Sequence, residues 1–399
     1  MNTGIAPEAT IGERVRWHRQ RAGKSQAVLA GLVGRTANWL SKVERDEIPV
    51  DRLSVLIDLA RALRIPDLGE LTGRSFSLAP DGLVAHDAVG PIRLALSTPP
   101  RVLAMSAPGE TLTVEQLTTR VANAWATYET ARMRYAVLGP ELPGLLSDAL
   151  RTSRTVVGEE QQREALRQLA SVYHLIQVFV RRLGERDLAR VAADRAMLTA
   201  EDVDDPLLVA TATWNVSGPL LSSPWVDQAL EMNLQTIEHL RRYVDDNPTP
   251  EALSAYGALH LTALIAAARV GQESRGWSLL KNASRIARAL PEGANHTKAY
   301  FNNTNVAMHA VHLHVECGES EEAFRAAQNV TVPDGVPLER LTRYRVEQMQ
   351  AARLQRDWDA ALESLLTIQQ ESPEELRYHL LIRLTLRDML PKPPTGRRH

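Results

Sequence analysis

A single cysteine, Cys317, occurs in 399 residues. No internal disulfide can form, and nothing points to an oxidising compartment. Long apolar runs are missing as well. The longest, Leu259 to Ala268, is interrupted by His260 and Thr262 and reads as too short to span a bilayer. Met1 to Thr10 lack the basic-then-apolar layout of a secretion signal, so none is expected. No P-loop, GxGxxG, GxSxG, HExxH or CxxC occurs, and no catalytic pair stands out. Neither an enzyme nor a cofactor is expected. What remains is ample material for folding. Apolar residues make up 44% of the chain, which excludes wholesale disorder, and the length suits two or three domains.

An excess of charge of one sign is absent too, since 46 Lys and Arg meet 48 Asp and Glu for a net charge of −2. That balance alone argues against a polyanionic partner. It conceals an asymmetry. Residues 1–65 hold 11 basic and 7 acidic side chains, hence +4, and the rest holds 35 and 41, hence −6. A small basic head on an acidic body suits a protein of which one part meets phosphates and the other does not.

The head reads as short helices broken at Gly and Pro. Thr10 caps a helix from Ile11 to about Arg21, with Ile11, Val15 and His18 along one side. Ser25 caps a second, with Leu29, Leu32 and Val33 apolar, and Gly34 ends it. Thr36 caps a third, with Leu40 and Val43 facing inward. Asp51 caps another, whose apolar set is Leu53, Leu56, Ile57, Ala60 and Leu63. Two short helices joined by a tight Gly turn inside a bundle of about five predict a helix-turn-helix.

Three stretches carry a specific likeness: Ser25-Gln26-Ala27-Val28-Leu29-Ala30-Gly31-Leu32-Val33-Gly34, Trp39-Leu40-Ser41-Lys42-Val43-Glu44-Arg45, and Pro49 with Leu53-Ser54-Val55-Leu56. Over roughly residues 11–65 the chain resembles the Cro and phage-repressor (XRE) family of DNA-binding domains. One position departs: Asp46 stands where the family usually has Gly, and Asp tolerates a left-handed backbone better than most residues. The resemblance implies that the third helix enters the major groove of double-stranded DNA. The family's base-reading places fall on Ala37, Asn38 and Lys42. Asn38 suits an adenine edge, Lys42 guanine acceptors, and Ala37 a thymine methyl. Gln26 matches a backbone-phosphate contact, and Arg35, Thr36, Ser41 and Arg45 are placed for phosphate as well. Trp39 either packs beside the sugar-phosphate backbone or covers the bundle. Glu44 reads as a pairing inside the domain. Arg14, Arg16, Arg19 and Lys24 add positive charge or are ordinary surface residues. A single such module binds weakly, so a homodimer on a palindromic operator is expected.

Residues 66–111 collect Pro66, Pro80, Pro91, Pro99, Pro100 and Pro108, and read as a connector with some extended character, part of it packed on the body. From Leu112 the chain reads as helix after helix, with no alternating β-runs. A motif recurs in which a Gly, Asp or Pro gap precedes an amphipathic helix with a small residue. Its anchors at 189, 229, 277, 323 and 361 are 40, 48, 46 and 38 apart, one helical hairpin per step. Asp359-Ala360-Ala361-Leu362 and Glu322-Ala323 with Ala326-Ala327 resemble second helices of tetratricopeptide repeats. Stacked hairpins of this kind form a superhelix with a concave face. The expected organisation is all-α: a helix-turn-helix bundle over 1–70, a linker over 71–111, a tetratricopeptide-like solenoid over 112–390, and a disordered tail over 391–399.

A DNA-binding head on such a body resembles the peptide-pheromone receptors of the RRNPP group and helix-turn-helix/tetratricopeptide regulators of actinobacteria. The resemblance implies quorum sensing, with a short secreted peptide or a small molecule held in the groove, often by asparagines whose amides offer a donor and an acceptor together. The polar stretch Tyr300 to His309 supplies Asn302, Asn305 and His309 on one helix face. Asn215 and His260 are further candidates from earlier hairpins. The competing reading of these residues is helix capping and inter-helix hydrogen bonding. His309, His312, His314 and Cys317 cluster in sequence, yet no carboxylate completes a metal-ligand spacing, and no metal is expected. The reading that results is a sequence-specific transcriptional regulator, cytoplasmic and nucleoid-associated, with no membrane partner. The alternative is a DNA-localised adaptor whose solenoid binds a protein.

Overall fold

The computed structural model describes residues 9–48, 50, 55, 59–60, 62–63, 65, 71, 86–106, 111–221, 223, 225–291 and 293–389. The fold is all-α, and no strand occurs among the described residues. The chain divides into two compact units, residues 1–83 and 84–399. The proposed tail 391–399 and the segment 66–70 lie outside the described residues.

The first unit opens with α1 (Ile11–Arg21), α2 (Gln26–Leu32) and α3 (Ala37–Glu44). Each starts on a hydroxyl. Thr10, Ser25 and Thr36 accept hydrogen bonds from the amides of Glu13, Val28 and Trp39, and Glu13 returns one to Thr10 to complete a capping box. Val15, Leu29, Ala30, Leu40, Val43, Leu59 and Leu63 form the core, so helical residues of the 55–63 segment close the bundle. Gly12 lets α1 approach the end of α3. A Cβ there would lie 2.2 Å from the Val43 carbonyl oxygen and 2.6 Å from a carboxylate oxygen of Asp46. Asp46 adopts φ +56°, the left-handed conformation for which the resembled family uses Gly. Its carboxylate accepts the Thr10 hydroxyl at 2.7 Å, which offsets part of the backbone cost.

Glu44 is a buried acid of this unit. Arg19 donates to both its oxygens, at 2.5 and 2.9 Å, and the Gln26 amide donates at 2.8 Å. Burial alone would raise the Glu44 carboxyl; the bonds from Arg19 and Gln26 outweigh it and hold the group below its usual value.

The second unit begins with α4 (Val89–Ser97) and α5 (Pro100–Ser106). Within the expected connector over 71–111, residues 89–97 and 100–106 are thus helical rather than extended. Pro91 and Pro100 sit in first turns, where the missing N–H costs nothing. After α6 (Val114–Thr130) and the short α7 (Arg134–Leu138) comes α8 (Leu142–Thr155). Side chains of α8 tie the preceding segment down: Ser147 and Arg151 donate to the carbonyls of Leu103 and Ala104.

Five hairpins follow: α9 (Glu159–Arg182) with α10 (Arg186–Val203), α11 (Pro206–Leu220) with α12 (Val226–Asp246), α13 (Pro250–Arg269) with α14 (Glu273–Ala287), α15 (Asn303–Glu316) with α16 (Ser320–Asn329), and α17 (Leu338–Gln355) with α18 (Trp358–Glu371). Four tips share one geometry. Gly184, Gly271, Gly318 and Arg356 are left-handed, and the next amide bonds back to Val180, Ala267, His314 and Ala352. Five positions after each left-handed residue stands a small buried residue: Ala189, Gly276, Ala323 and Ala361. The repeat anchor expected at 277 therefore belongs at Gly276, where a Cβ would come within 3.2 Å of Leu313. Helix packing needs a small side chain at this level, and the half-buried Trp277 cannot supply it. The unit is a helical, solenoid-like stack. The chain ends its described part with α19 (Pro373–Tyr378) and α20 (Leu380–Met389).

The apolar run Leu259 to Ala268 belongs to the 20-residue helix α13, which is long and apolar enough to cross a membrane by length and composition. The run itself covers only ten of these residues. Of the helix's apolar window 89% is packed inside this unit, with the Phe301 ring seated on Gly257.

The last helices return to the first. The Glu374 carboxylate accepts the backbone amides of Tyr135 and Ala136, each at 2.9 Å, and the Tyr135 hydroxyl donates to Glu375 at 2.6 Å. Arg134, 1% exposed, donates to Ser372 and Thr342. Arg182 of α9 pairs with Glu339 of α17 at 3.0 Å.

Two measurements test this packing. Glu44→Ala leaves Arg19 without its counter-charge, and should cost the first unit about 3 kcal/mol. Chemical denaturation of the full chain should show an early, partial transition; a profile like that of the unaltered protein contradicts the role. The second test concerns acid. Burial holds the His174 imidazole down at about 3 and His379 at about 4, and lowers His260. The unfolded chain takes up these protons near 6.5 while the folded chain does not, so stability falls as pH drops below 6.5. The melting temperature should decline from pH 7 to pH 5, and His174→Phe, between Trp125 and Trp214, should flatten the decline. Equal melting at both pH values overturns this.

Candidate nucleic-acid interface and interior cavity

The exposed side of α3 follows from its core side. Leu40, Val43 and Glu44 point inward, which leaves Ala37, Asn38, Ser41, Lys42 and Arg45 as a stripe at helical spacing. Ala37, Asn38 and Arg45 are exposed, and Ser41 and Lys42 are half-buried along the same stripe. Arg35 and Thr36 stand exposed just before the helix. Thr36 serves as the cap of α3, and its N-terminal amides face outward with the positive end of the helix dipole. Trp39 is half-buried against the core, and the Arg35 guanidinium lies 5.6 Å from its ring centre. Trp39 therefore both covers the bundle and carries a cation at the edge of the stripe.

Several expected phosphate contacts are engaged elsewhere. The Gln26 amide is turned to Glu44. Arg45 pairs with Glu47 at 2.9 Å, with both side chains about half exposed, so solvent weakens this tie. Arg19 is committed to Glu44, and Arg14 is buried. Sequence spacing marks a charge without telling which neighbour folds against it. Asn38, Ser41 and Lys42 of the stripe, with Arg35 just before it, remain as exposed or half-buried polar groups outside these pairs.

The second unit holds one cavity among the described residues that matters here. It is lined from the first helix of every hairpin: Gln177, Val178 and Arg181 of α9, Trp214, Asn215 and Gly218 of α11, Ala258, Leu261, Thr262 and Ile265 of α13, Asn305, His309 and His312 of α15, and Arg340 and Arg343 of α17. It is partly open to solvent, and its free volume is about 60 Å³. The second helices α10, α12, α14, α16 and α18 contribute nothing to it. The concave face of the stack is therefore the wall of this cavity.

Three of the five expected ligand residues line it: Asn215, Asn305 and His309. The other two do not. Asn302 caps α15, its side chain accepting the Asn305 amide and donating to the Ala294 carbonyl. α15 starts one residue later than the polar stretch suggests, so Asn302 ends up as a cap. His260 is buried on α13, where its ring bonds the Tyr256 carbonyl at 2.9 Å. Sequence reading missed Gln177, Arg181, Arg340 and Arg343. They lie on strongly amphipathic or charged helices, where an arginine facing inward has no sequence signal of its own.

The histidine cluster disperses. His309 donates through Nδ1 to the Asn305 carbonyl, and burial with Arg340 and Arg343 nearby holds it well below the usual value, as a neutral ring. His312 sits between Glu316 at 3.0 Å and Glu347 at 3.5 Å, and His314 pairs with Glu319. Burial would raise the Glu316 carboxyl, but bonds from His312 and Arg269 hold it at about 2. Among the described residues no group of three or more potential ligands is placed to hold a metal ion.

Residues 10–71 match a family model described as a helix-turn-helix domain. No curated protein matches the chain. The match begins at the cap of α1 and takes in α2, α3 and the core up to Leu71. The chain carries an XRE-like helix-turn-helix domain at its N-terminus, and that domain marks it as a DNA-binding protein.

Proposed function

We propose that the protein is a sequence-specific transcriptional regulator that binds a palindromic operator as a homodimer and answers to a ligand held in the cavity of its second unit. The observation that carries the DNA part is the stripe of α3, Ala37, Asn38, Ser41 and Lys42, on a domain in which Arg19 is committed to Glu44 and Arg14 is buried. Asn38 can bond an adenine edge in two places and Lys42 can reach guanine acceptors, each worth about 1–3 kcal/mol of discrimination. Arg35, Thr36 and the α3 amides supply phosphate contacts, which position the helix without reading sequence. One such module gives too little affinity for a genomic site, so two half-sites and two copies are needed.

The cavity supports the ligand part. Its walls come from five helices of successive hairpins, so filling it couples all of them. A ligand acts on DNA binding only if it binds the operator-competent arrangement with a different affinity from the incompetent one.

The experiment is genome-wide capture of DNA fragments by the purified full chain, followed by footprinting on the recovered site. Asn38→Ala with Lys42→Ala should lower specific affinity at least tenfold and leave helical content and melting temperature unchanged. The footprint should span two half-sites about one helical turn apart. An unchanged footprint with the double variant overturns the base-reading assignment, and a single unpaired half-site overturns the dimer.

A further inference from the structure

The cavity of the second unit is lined by positive charge, which the buried Glu339 offsets only in part. Three guanidinium groups line it, Arg181 from α9 and Arg340 and Arg343 from α17, and no lining residue is acidic. The acid beside them in sequence, Glu339, is bound to Arg182. Arg340 donates one long bond, 3.4 Å, to the Ala299 carbonyl, and its Nε has no partner. The Nε of Arg181 has none either. Gln177, only 1% exposed, has neither amide atom bonded, and the Asn305 side-chain oxygen is equally unsatisfied. These groups are gathered at one place. The Gln177 amide nitrogen and the Arg181 guanidinium lie side by side along Gly218, 3.5 and 3.6 Å from where a Cβ would stand.

Such an arrangement is expensive. A buried donor without an acceptor costs about 1–3 kcal/mol, and like charges enclosed together repel. Burial and the neighbouring Arg182 push the Arg181 guanidinium down to about 10, and burial with Arg340 and Arg182 lowers Arg343 well below its usual value. The same cavity is also lined by the apolar side chains Trp214, Leu221, Ala258, Leu261 and Ile265.

We propose that this cavity binds an amphiphilic oxyanion: a carboxylate or phosphate group held by Arg181, Arg340, Arg343 and the Gln177 amide, on an apolar body packed against Trp214 and Leu261. Guanidinium forks match both oxyanions in shape, which an amide or hydroxyl ligand would not exploit. The inference rests on reading the cavity as the effector site and names the chemistry of the effector. It excludes an uncharged ligand.

The test uses the full chain without DNA, so that its outcome is independent of the operator. Melting temperature and titration calorimetry are measured with octanoate, phenyl phosphate and N-acetyl-trileucine, each beside its uncharged counterpart: octanamide, phenol and N-acetyl-trileucine amide. At least one oxyanion should bind and raise the melting temperature in proportion to its concentration while its counterpart does not. Which one does separates a small acid, a phosphate ester and a peptide terminus. Arg343→Gln should weaken that binding at least tenfold and raise the melting temperature of the ligand-free chain, because it removes a charge that is offset only in part. Arg181→Gln should weaken binding likewise. Equal response to charged and uncharged probes, binding unaffected by both variants, or no response to any oxyanion overturns the proposal. The footprint of the Asn38 and Lys42 double variant does not enter this readout, so either reading can fail alone.

Discussion

The second unit depends on a contact between its ends. Glu374 accepts the first free amides of α7, as an N-cap would, but from a residue about 240 positions away. Around it, Arg134 reaches Ser372 and Thr342, Tyr135 reaches Glu375, and Arg182 reaches Glu339. Hairpin stacks of this kind have exposed ends in principle, because each hairpin buries its apolar face only against its neighbours. Here the polar network joins the last helices to the first. The concave face that would otherwise open as a groove becomes the wall of a cavity.

That closure explains the chemistry inside. Inward positions on α9, α11, α13, α15 and α17 are partly shielded from bulk water, so their polar groups gain most from partners within the unit. Most do find them. His309 bonds the Asn305 carbonyl, and Glu316 takes His312 and Arg269. The Nε atoms of Arg181 on α9 and Arg340 on α17 do not, and both residues line the cavity. The same logic runs at a smaller scale in the first unit, where buried Glu44 binds Arg19 and Gln26 and α3 is left with a polar, outward stripe.

Hairpin tips and caps were legible because they depend on local backbone chemistry. Thr10, Ser25 and Thr36 cap the three helices they were expected to cap, and Gly184, Gly271 and Gly318 end helices in the left-handed conformation. Asp46 takes that conformation too, as its side chain permits. The proline-rich segment before Leu112 misled, because Pro91 and Pro100 are helix starts as readily as helix breakers. The anchor at 277 was one residue off, since an aromatic is conspicuous in sequence whereas the packing requirement falls on the glycine before it.

The amino-acid sequence by itself determined the all-α class, the helix boundaries set by caps and glycines, the period of the hairpins and the helix-turn-helix at the N-terminus. These rest on interactions within a few residues of one another. Only the tertiary structure decided which charges are spent inside the fold and which remain. Gln26, Arg19 and Arg45 look alike to Asn38 and Lys42 in sequence, yet Glu44 and Glu47 engage the first three. Asn302 became a cap while Asn305 reached the cavity, and Arg181 met Arg340 and Arg343 from a helix some 160 residues distant. Burial and pairing between distant segments determine which side chains can meet a ligand, and no local pattern encodes them.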